Sequence, residues 1–384
     1  MLSQKMASRE TGDQSIDLAT DRREVPAPRA SELRLKPMRA RIEGGTSPAV
    51  GGPREPLQGV PANDLVLPRI DWIPTNFQTA FTEDYGGRTD LRSLYEKAKE
   101  GQWNARTYLD WTQNVDPEAE NIPDQFIPIF GTPVWDKLDK KRDIPRLRRH
   151  GSSYLLSNFL HGEQGALLAT SQIVCAVPDH EAKLYAASQV MDEARHVEAY
   201  ERYLREKVEL TYPISPHLRT LLDSILKESR WDVKFLGMQI MVEGLALAAF
   251  GLISQTSNEP LIREIVRMIM IDESRHVAFG VLSLRGLYDD MTESERADRE
   301  EFIIEASRLM RDRFLMQEVW ENLDLPVEEC LDAVRNSPIM QTFQTLLFSK
   351  IVPNVKRLGL LTPNVRKAFE ELRVIQYETW DATA

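Results

Sequence analysis

Apolar positions recur at helical spacing through four long runs, at about 152–176, 181–208, 217–256 and 260–288. Each is too long for a strand, and none carries a proline beyond its first turn. The breaks fall at Pro178-Asp179, between Tyr212 and Pro216, and between Ser257 and Pro260. The last of these predicts Ser257 or Asn258 as a helix cap with Pro260 in the first turn. Four consecutive helices with short connections predict an antiparallel bundle. The same periodicity predicts helices at about 293–320, 339–352 and 363–380, and no stretch alternates as a strand would. The fold class is therefore all-α.

Outside these runs the pattern weakens. Residues 1–66 mix Pro, Gly, Ser and charge without a sustained period, as expected of a disordered arm. Residues 67–150 form a lead-in of helix and loop that packs on the bundle. Helical spacing at Leu91, Leu94 and Tyr95 is followed by a break at Gly101, and the basic cluster Arg146 to His150 marks a solvated helix start. The bundle is expected to span 151–290, with the helices of 291–384 added to the same domain.

Hydrophobic residues make up 42% of the 384, ample for one large core. A net charge of -11 disfavours binding to a phosphate backbone. Two cysteines, Cys175 and Cys330, give neither a disulfide framework nor a thiolate metal cluster, so a cytoplasmic protein is expected. The most apolar stretch, Met238 to Ser254, carries Glu243 in its middle and reads as a core helix rather than a membrane span. Met238, Met241, Met268 and Met270 are expected to fill the core.

That glutamate leads to the chemistry. D-E-A-R-H at Asp192 to His196 and D-E-S-R-H at Asp272 to His276 are near-identical, and residues three apart share a helix face. Glu193 with His196, and Glu273 with His276, thus each aim a carboxylate and an imidazole at one point. Glu163 and Glu243 stand alone in apolar helices, where a carboxylate needs a cation to meet it. Glu163 precedes Glu193 by 30 residues and Glu243 precedes Glu273 by 30, so the second set repeats the first at an offset of 80. The midpoints are Pro178 and Asn258, both in predicted turns. Positions equidistant from a hairpin turn share a level, here about 22 Å from the turn at 1.5 Å per residue.

All four carboxylates and both histidines are therefore predicted to meet in one layer. Four negative charges match two divalent cations, and oxygen and nitrogen donors without thiolate favour iron, with manganese possible at one or both positions. Asp192 and Asp272 are the expected acceptors for the second ring nitrogen of each histidine, with Arg195 and Arg275 neutralising them. Gly162, Gly165 and Gly244 flank the single glutamates, where room for metal, substrate or a neighbouring helix would offset their cost of about 1 kcal/mol each.

This pattern resembles the ferritin-like di-iron carboxylate superfamily, in which two helices give one Glu each and two others give Glu-x-x-His. The wording around Glu163, NFLHGEQGALLATSQIV, is most similar to the hydroxylase subunits of bacterial multicomponent monooxygenases, with desaturases and ribonucleotide reductase small subunits less close. The resemblance covers about 150–290. It implies that Glu163, Glu193, His196, Glu243, Glu273 and His276 bind two irons, which reduce dioxygen to a peroxo or high-valent oxidant. It also implies a small organic or acyl substrate, an electron-donating reductase or ferredoxin, and a homodimer. Many of those hydroxylases carry a threonine one turn after the third carboxylate, where this chain has Leu247. Tyr200 lies where the reductase subunits have a radical-bearing tyrosine, although a packed tyrosine with a satisfied hydroxyl is the simpler expectation. Radical generation for ribonucleotide reduction and ferritin-like iron storage are the alternatives to an oxidase or monooxygenase.

Overall fold

The computed structural model describes residues 72–380, and the expected disordered arm lies outside them. Among the described residues every regular element is helical. The helices that build the site are α1 (Thr89–Glu100), α2 (Asp143–Ala176), α3 (His180–Tyr203), α4 (Pro216–Lys227), α5 (Trp231–Thr256), α6 (Pro260–Leu284) and α7 (Glu293–Asp312). Helices α2 and α3 form one hairpin and α5 and α6 the other. Tyr203, at the far end of α3, donates to Glu259 in the α5–α6 turn at 2.7 Å, so the two hairpins point their turns to opposite ends of the bundle. Helix α1 lies across α3 and α6, while α7 packs on α4 and α5.

Local chemistry sets the boundaries. Val177 is extended, as a residue before proline tends to be, and Asp179 then caps α3 by accepting from Ala182 N at 2.8 Å. Thr292 and Glu295 form a capping box at α7. The cap of α6 differs from the expected Ser257 or Asn258. It is Glu259, whose carboxylate accepts from Leu261 N and Ile262 N, both at 2.7 Å, while Ser257 supports Glu259 N.

Three further expectations are corrected. Helix α2 begins nine residues earlier than the periodicity implies, so the basic cluster lies within it. There Arg148 pairs with Asp124 of the lead-in at 2.7 Å and Arg149 donates to the Val208 carbonyl beyond α3, so these two arginines tie neighbouring segments to the helix and are not a solvated start. The run 217–256 is two helices. Glu228 turns extended and accepts from both the amide and the guanidinium of Arg230, and buried Lys234 donates to the Ile225 carbonyl at 2.7 Å, satisfying the end of α4. The run 293–320 is also interrupted, by left-handed Met316 after α7.

Helix α5 is not uniform either. Leu236–Val242 is π-helical, directly before Glu243, the kind of bulge that commonly marks a functional position. Its full run is longer than the apolar stretch read from the sequence: Trp231–Thr256 is long and apolar enough to cross a membrane by length and composition, with 72% of its most apolar window buried inside the fold. Met238, Met241 and Met268 are buried in the core, and Met270 packs against it.

Candidate metal centre

The six predicted donors converge. His196 Nδ1 lies 3.2 Å from Glu163 Oε2, 3.5 Å from Glu193 Oε2 and 3.2 Å from Glu273 Oε1. His276 Nδ1 lies 2.9 Å from Glu243 Oε2, 3.2 Å from Glu193 Oε1 and 3.5 Å from Glu273 Oε2. Each imidazole thus faces the single glutamate of its own hairpin and both glutamates of the E-x-x-H pairs. Two four-residue groups result, Glu163–Glu193–His196–Glu273 and Glu193–Glu243–Glu273–His276, each with donor atoms within 4.8 Å of one another. They share Glu193 and Glu273. All six side chains are buried.

The donor set fits a pair of divalent cations. Burial, followed by neighbouring carboxylates, pushes Glu243 well above the usual carboxylate range. Burial does the same to Glu163 despite the opposing pull of His196. Both histidines are held well above their ordinary value because the surrounding carboxylates outweigh a burial effect of opposite sign. Glu193 Oε2 and Glu273 Oε2 are buried without a hydrogen-bond partner. Without cations the layer must retain protons, whereas two cations would take the unpartnered oxygens and neutralise four carboxylates.

Behind the donors the aspartates cross over. His196 Nε2 donates to Asp272 at 3.0 Å, and His276 Nε2 donates to Asp192 at 3.3 Å, so each histidine leans on the aspartate of the other hairpin. Arg195 bridges the two aspartates at 2.5 and 2.8 Å, and Arg275 meets Asp272. Burial raises both aspartates' affinity for protons, but the hydrogen bonds from histidine and the nearby arginines hold Asp272 and Asp192 below the usual range. They remain acceptors, which fixes the Nε2 protons and leaves each Nδ1 facing the carboxylates, a donor to them while protonated and a lone pair for a cation once that proton is lost.

Sequence reasoning missed four residues here. Gln102 donates to Asp192 at 2.7 Å and accepts from Arg195, while Trp103 Nε1 donates to Asp272 at 2.8 Å with its ring beneath Arg195. Gly101 permits this approach, since a Cβ there would sit 3.1 Å from the Arg275 guanidinium. Gln189 donates to Glu193 at 2.9 Å and Glu243 at 2.7 Å. It lies one turn before Glu193 on the same face, a signal that spacing alone carried. The fourth is Arg313, just beyond α7, for which no pattern existed.

A narrow slot of about 20 Å³ between α2 and α5 reaches Glu163, Glu243 and Glu273 past Gly162, Ala166 and Ala246, with Asn158 and Arg313 also on its walls. Leu247 does not line it. A Cβ at Gly162 would meet nothing within 4 Å, so that glycine keeps space open. Gly165 instead admits Leu222 of α4 and Gly244 admits Ile351. Phe159 separates the slot from an apolar cavity of about 150 Å³ lined by Leu155, Leu252, Phe314 and Phe343 among others. Tyr200 is buried against Phe159 and Phe250, and its hydroxyl has no hydrogen-bond partner, contrary to the expected satisfied tyrosine.

A helical bundle with four glutamates and two Glu-x-x-His imidazoles in one buried layer defines a ferritin-like di-metal carboxylate protein. The sequence profile of the p-aminobenzoate N-oxygenase AurF matches residues 87–359, most of the chain, and the protein belongs to that family. It is accordingly a di-iron oxidoreductase that activates dioxygen for reaction with a small organic molecule. Similar solved structures include an R2-like ligand-binding oxidase with aerobically reconstituted Mn/Fe cofactor, 16% identical over 78% of this chain and 99% of that one, with a TM-score of 0.40. A mutant of that oxidase with anaerobically reconstituted Mn/Fe cofactor is 16% identical over 72% and 98%, with a TM-score of 0.44. No curated protein sequence matches the chain.

Proposed function

We propose that Glu163, Glu193, His196, Glu243, Glu273 and His276 hold the two metal ions, and that this chain oxygenates the nitrogen of a small aromatic amine. The observation that carries the first half is the pair of four-residue groups sharing Glu193 and Glu273. A shared carboxylate on each side suits two cations close together, as two-metal sites require. The second half rests on the family, whose name is that of an arylamine N-oxygenase.

When bound, the pair of irons supplies the site at which dioxygen is reduced. The chain's own residues set the conditions. Asp192 and Asp272 orient the imidazoles, and Gln189 pins Glu193 against Glu243. Apolar walls at Ala166, Val242 and Phe250 limit water in the slot. Conversion of an amine to a hydroxylamine inserts one oxygen atom into an N–H bond. The other oxygen leaves as water, using two electrons and two protons. An electron-donating ferredoxin or reductase is the source of those electrons.

Anaerobic ferrous loading should give two irons per chain with a Mössbauer signature of a coupled pair. Exposure to labelled dioxygen with p-aminobenzoate and a chemical reductant should place the label on nitrogen. Label found only on ring carbon, or only in water under substrate saturation, would defeat the N-oxygenase assignment. One iron or none per chain would defeat the metal assignment.

A further inference from the structure

The Phe159 ring bounds both the slot and the apolar cavity of about 150 Å³ beside it. That cavity lies where α2 and α5 meet three segments outside the bundle. The lead-in contributes Ile122 and Phe126, the stretch after α7 contributes Phe314 and Met316, and the helix Pro338–Leu346 contributes Ile339 and Phe343. Phe314 and Phe343 meet edge to face with ring centres 5.2 Å apart, and Phe159 meets Phe250 in the same way at 4.9 Å.

The polar groups that reach this cavity are already engaged or uncharged. Arg148 Nε and Nη2 both donate to Asp124 at 2.7 Å, and Nη1 donates to the Glu118 carbonyl at 3.3 Å, so its charge is matched. The Tyr154 hydroxyl donates to the Arg313 carbonyl at 3.0 Å, and the Thr256 hydroxyl donates to the Leu252 carbonyl at 2.8 Å. Ser152 adds a hydroxyl without charge. Arg313 and the three glutamates of the slot do not line the cavity. A carboxylate placed here would leave water with no free cation to meet it, which is strongly unfavourable. An uncharged hydrocarbon gives up nothing comparable and gains apolar contact, and a dry apolar cavity of this volume suits a guest of benzene size.

We infer that the cavity is a binding site for an uncharged, hydrocarbon-rich molecule about the size of a substituted benzene, and that it rejects ionised acids. The acid in the family's name, p-aminobenzoate, is thus not what this cavity is built to hold. Its guest rests against Phe159, one turn before Glu163, with the ring between it and the metal layer. Recognition depends on the walls and not on the metals, so the inference goes beyond the oxygenase reading and stands if that reading fails.

The test is titration calorimetry on the full chain, in ferrous-loaded anaerobic and metal-free forms, with toluene and benzoate as probes. Toluene should bind at one site per chain, about a hundredfold or more tightly than benzoate, with a negative change in heat capacity. Both forms of the protein should bind it alike. Ile339→Trp, which fills the cavity from its half-buried outer wall, should weaken toluene by about tenfold or more. Ala246→Val, which narrows the slot, should leave toluene binding unchanged. Xenon-pressurised crystals of the wild type should show density among Leu155, Leu252 and Phe343, which decides the matter if Ile339→Trp fails to fold. Absence of saturable toluene binding, benzoate binding as tight as toluene, affinity that requires the metals, equal weakening by Ala246→Val, or xenon found only elsewhere would overturn the inference.

Discussion

The two hairpins give the metal layer equal sets of donors and unequal surroundings. Adding 80 to each donor of α2 and α3 yields a donor of α5 or α6, and the same addition carries Asp192 to Asp272 and Arg195 to Arg275. One turn away the correspondence fails. Gln189 maps to Ile269, Tyr200 to Gly280, and Phe159 to Gln239. Gln239 is buried with neither amide atom hydrogen-bonded, in the π-helical stretch before Glu243, and Gly280 makes room for it. Charge compensation demands symmetry because both cations need the same ligands; a reaction at one face of the pair demands the opposite. Under the proposed metal assignment, the two positions have matching donors and different neighbours.

The largest break of that comparison is Glu193→Ala, because this carboxylate belongs to both groups. Both irons should be lost together by metal analysis, where Glu163→Ala should first lose the iron on its own side. Retention of one tightly held iron in Glu193→Ala would contradict the sharing of that glutamate.

The crossed aspartates come next. Asp272→Asn should weaken the metal at His196, on the opposite hairpin, by about tenfold to a hundredfold, and Asp192→Asn should do the same at His276. Spectroscopic assignment of the perturbed iron distinguishes this from an effect on the same helix. Perturbation at His276 by Asp272→Asn would show the crossing to be wrong.

Protons test the layer as a whole. Glu163, Glu243, His196 and His276 all have raised folded-state values in the metal-free arrangement. Their contribution to stability is full below the unfolded values, near 4.5 and 6.5, and is lost as pH rises toward the folded ones. Metal-free protein should melt at lower temperature as pH rises from about 6 to 9, while iron affinity increases over the same interval because binding releases protons. A metal-free melting curve that does not move with pH would mean that the layer holds no extra protons.

The smallest expected effect is at Gln189. Gln189→Leu removes two hydrogen bonds from the Glu193–Glu243 pair and nothing from Glu163. Metal affinity should fall by only about fivefold to tenfold, mainly at the Glu243 position, by competitive chelator titration. Equal weakening at both positions would mean that Gln189 is not what distinguishes them.

How much of this was legible in the sequence depended on whether periodicity encoded it. The six donors follow from two Glu-x-x-His pairs and two offsets of 30, which survive any error in helix ends. The break at Glu228 was hidden, because Lys-Glu-Ser-Arg contains neither proline nor glycine and the interruption is stabilised by Lys234 and Arg230 from across the turn. The direction of the aspartates was also hidden. Asp192 and His196 are four apart and share a face, so spacing permits a partner on the same helix, and only the packing of α3 against α6 sends each hydrogen bond across. Arg313 lies beyond the last periodic position of α7, where distance in the chain says nothing of nearness to the centre.

That crossing limits how such a protein could arise. A lone α2–α3 hairpin would carry a histidine lacking its acceptor and an aspartate lacking its donor, and a lone α5–α6 hairpin would share the defect. Two copies set head to tail would cure each other at once. The repeat at an offset of 80 is thus the signature expected of two self-complementary ancestors fused into one polypeptide, after which each copy was free to acquire neighbours the other could not tolerate.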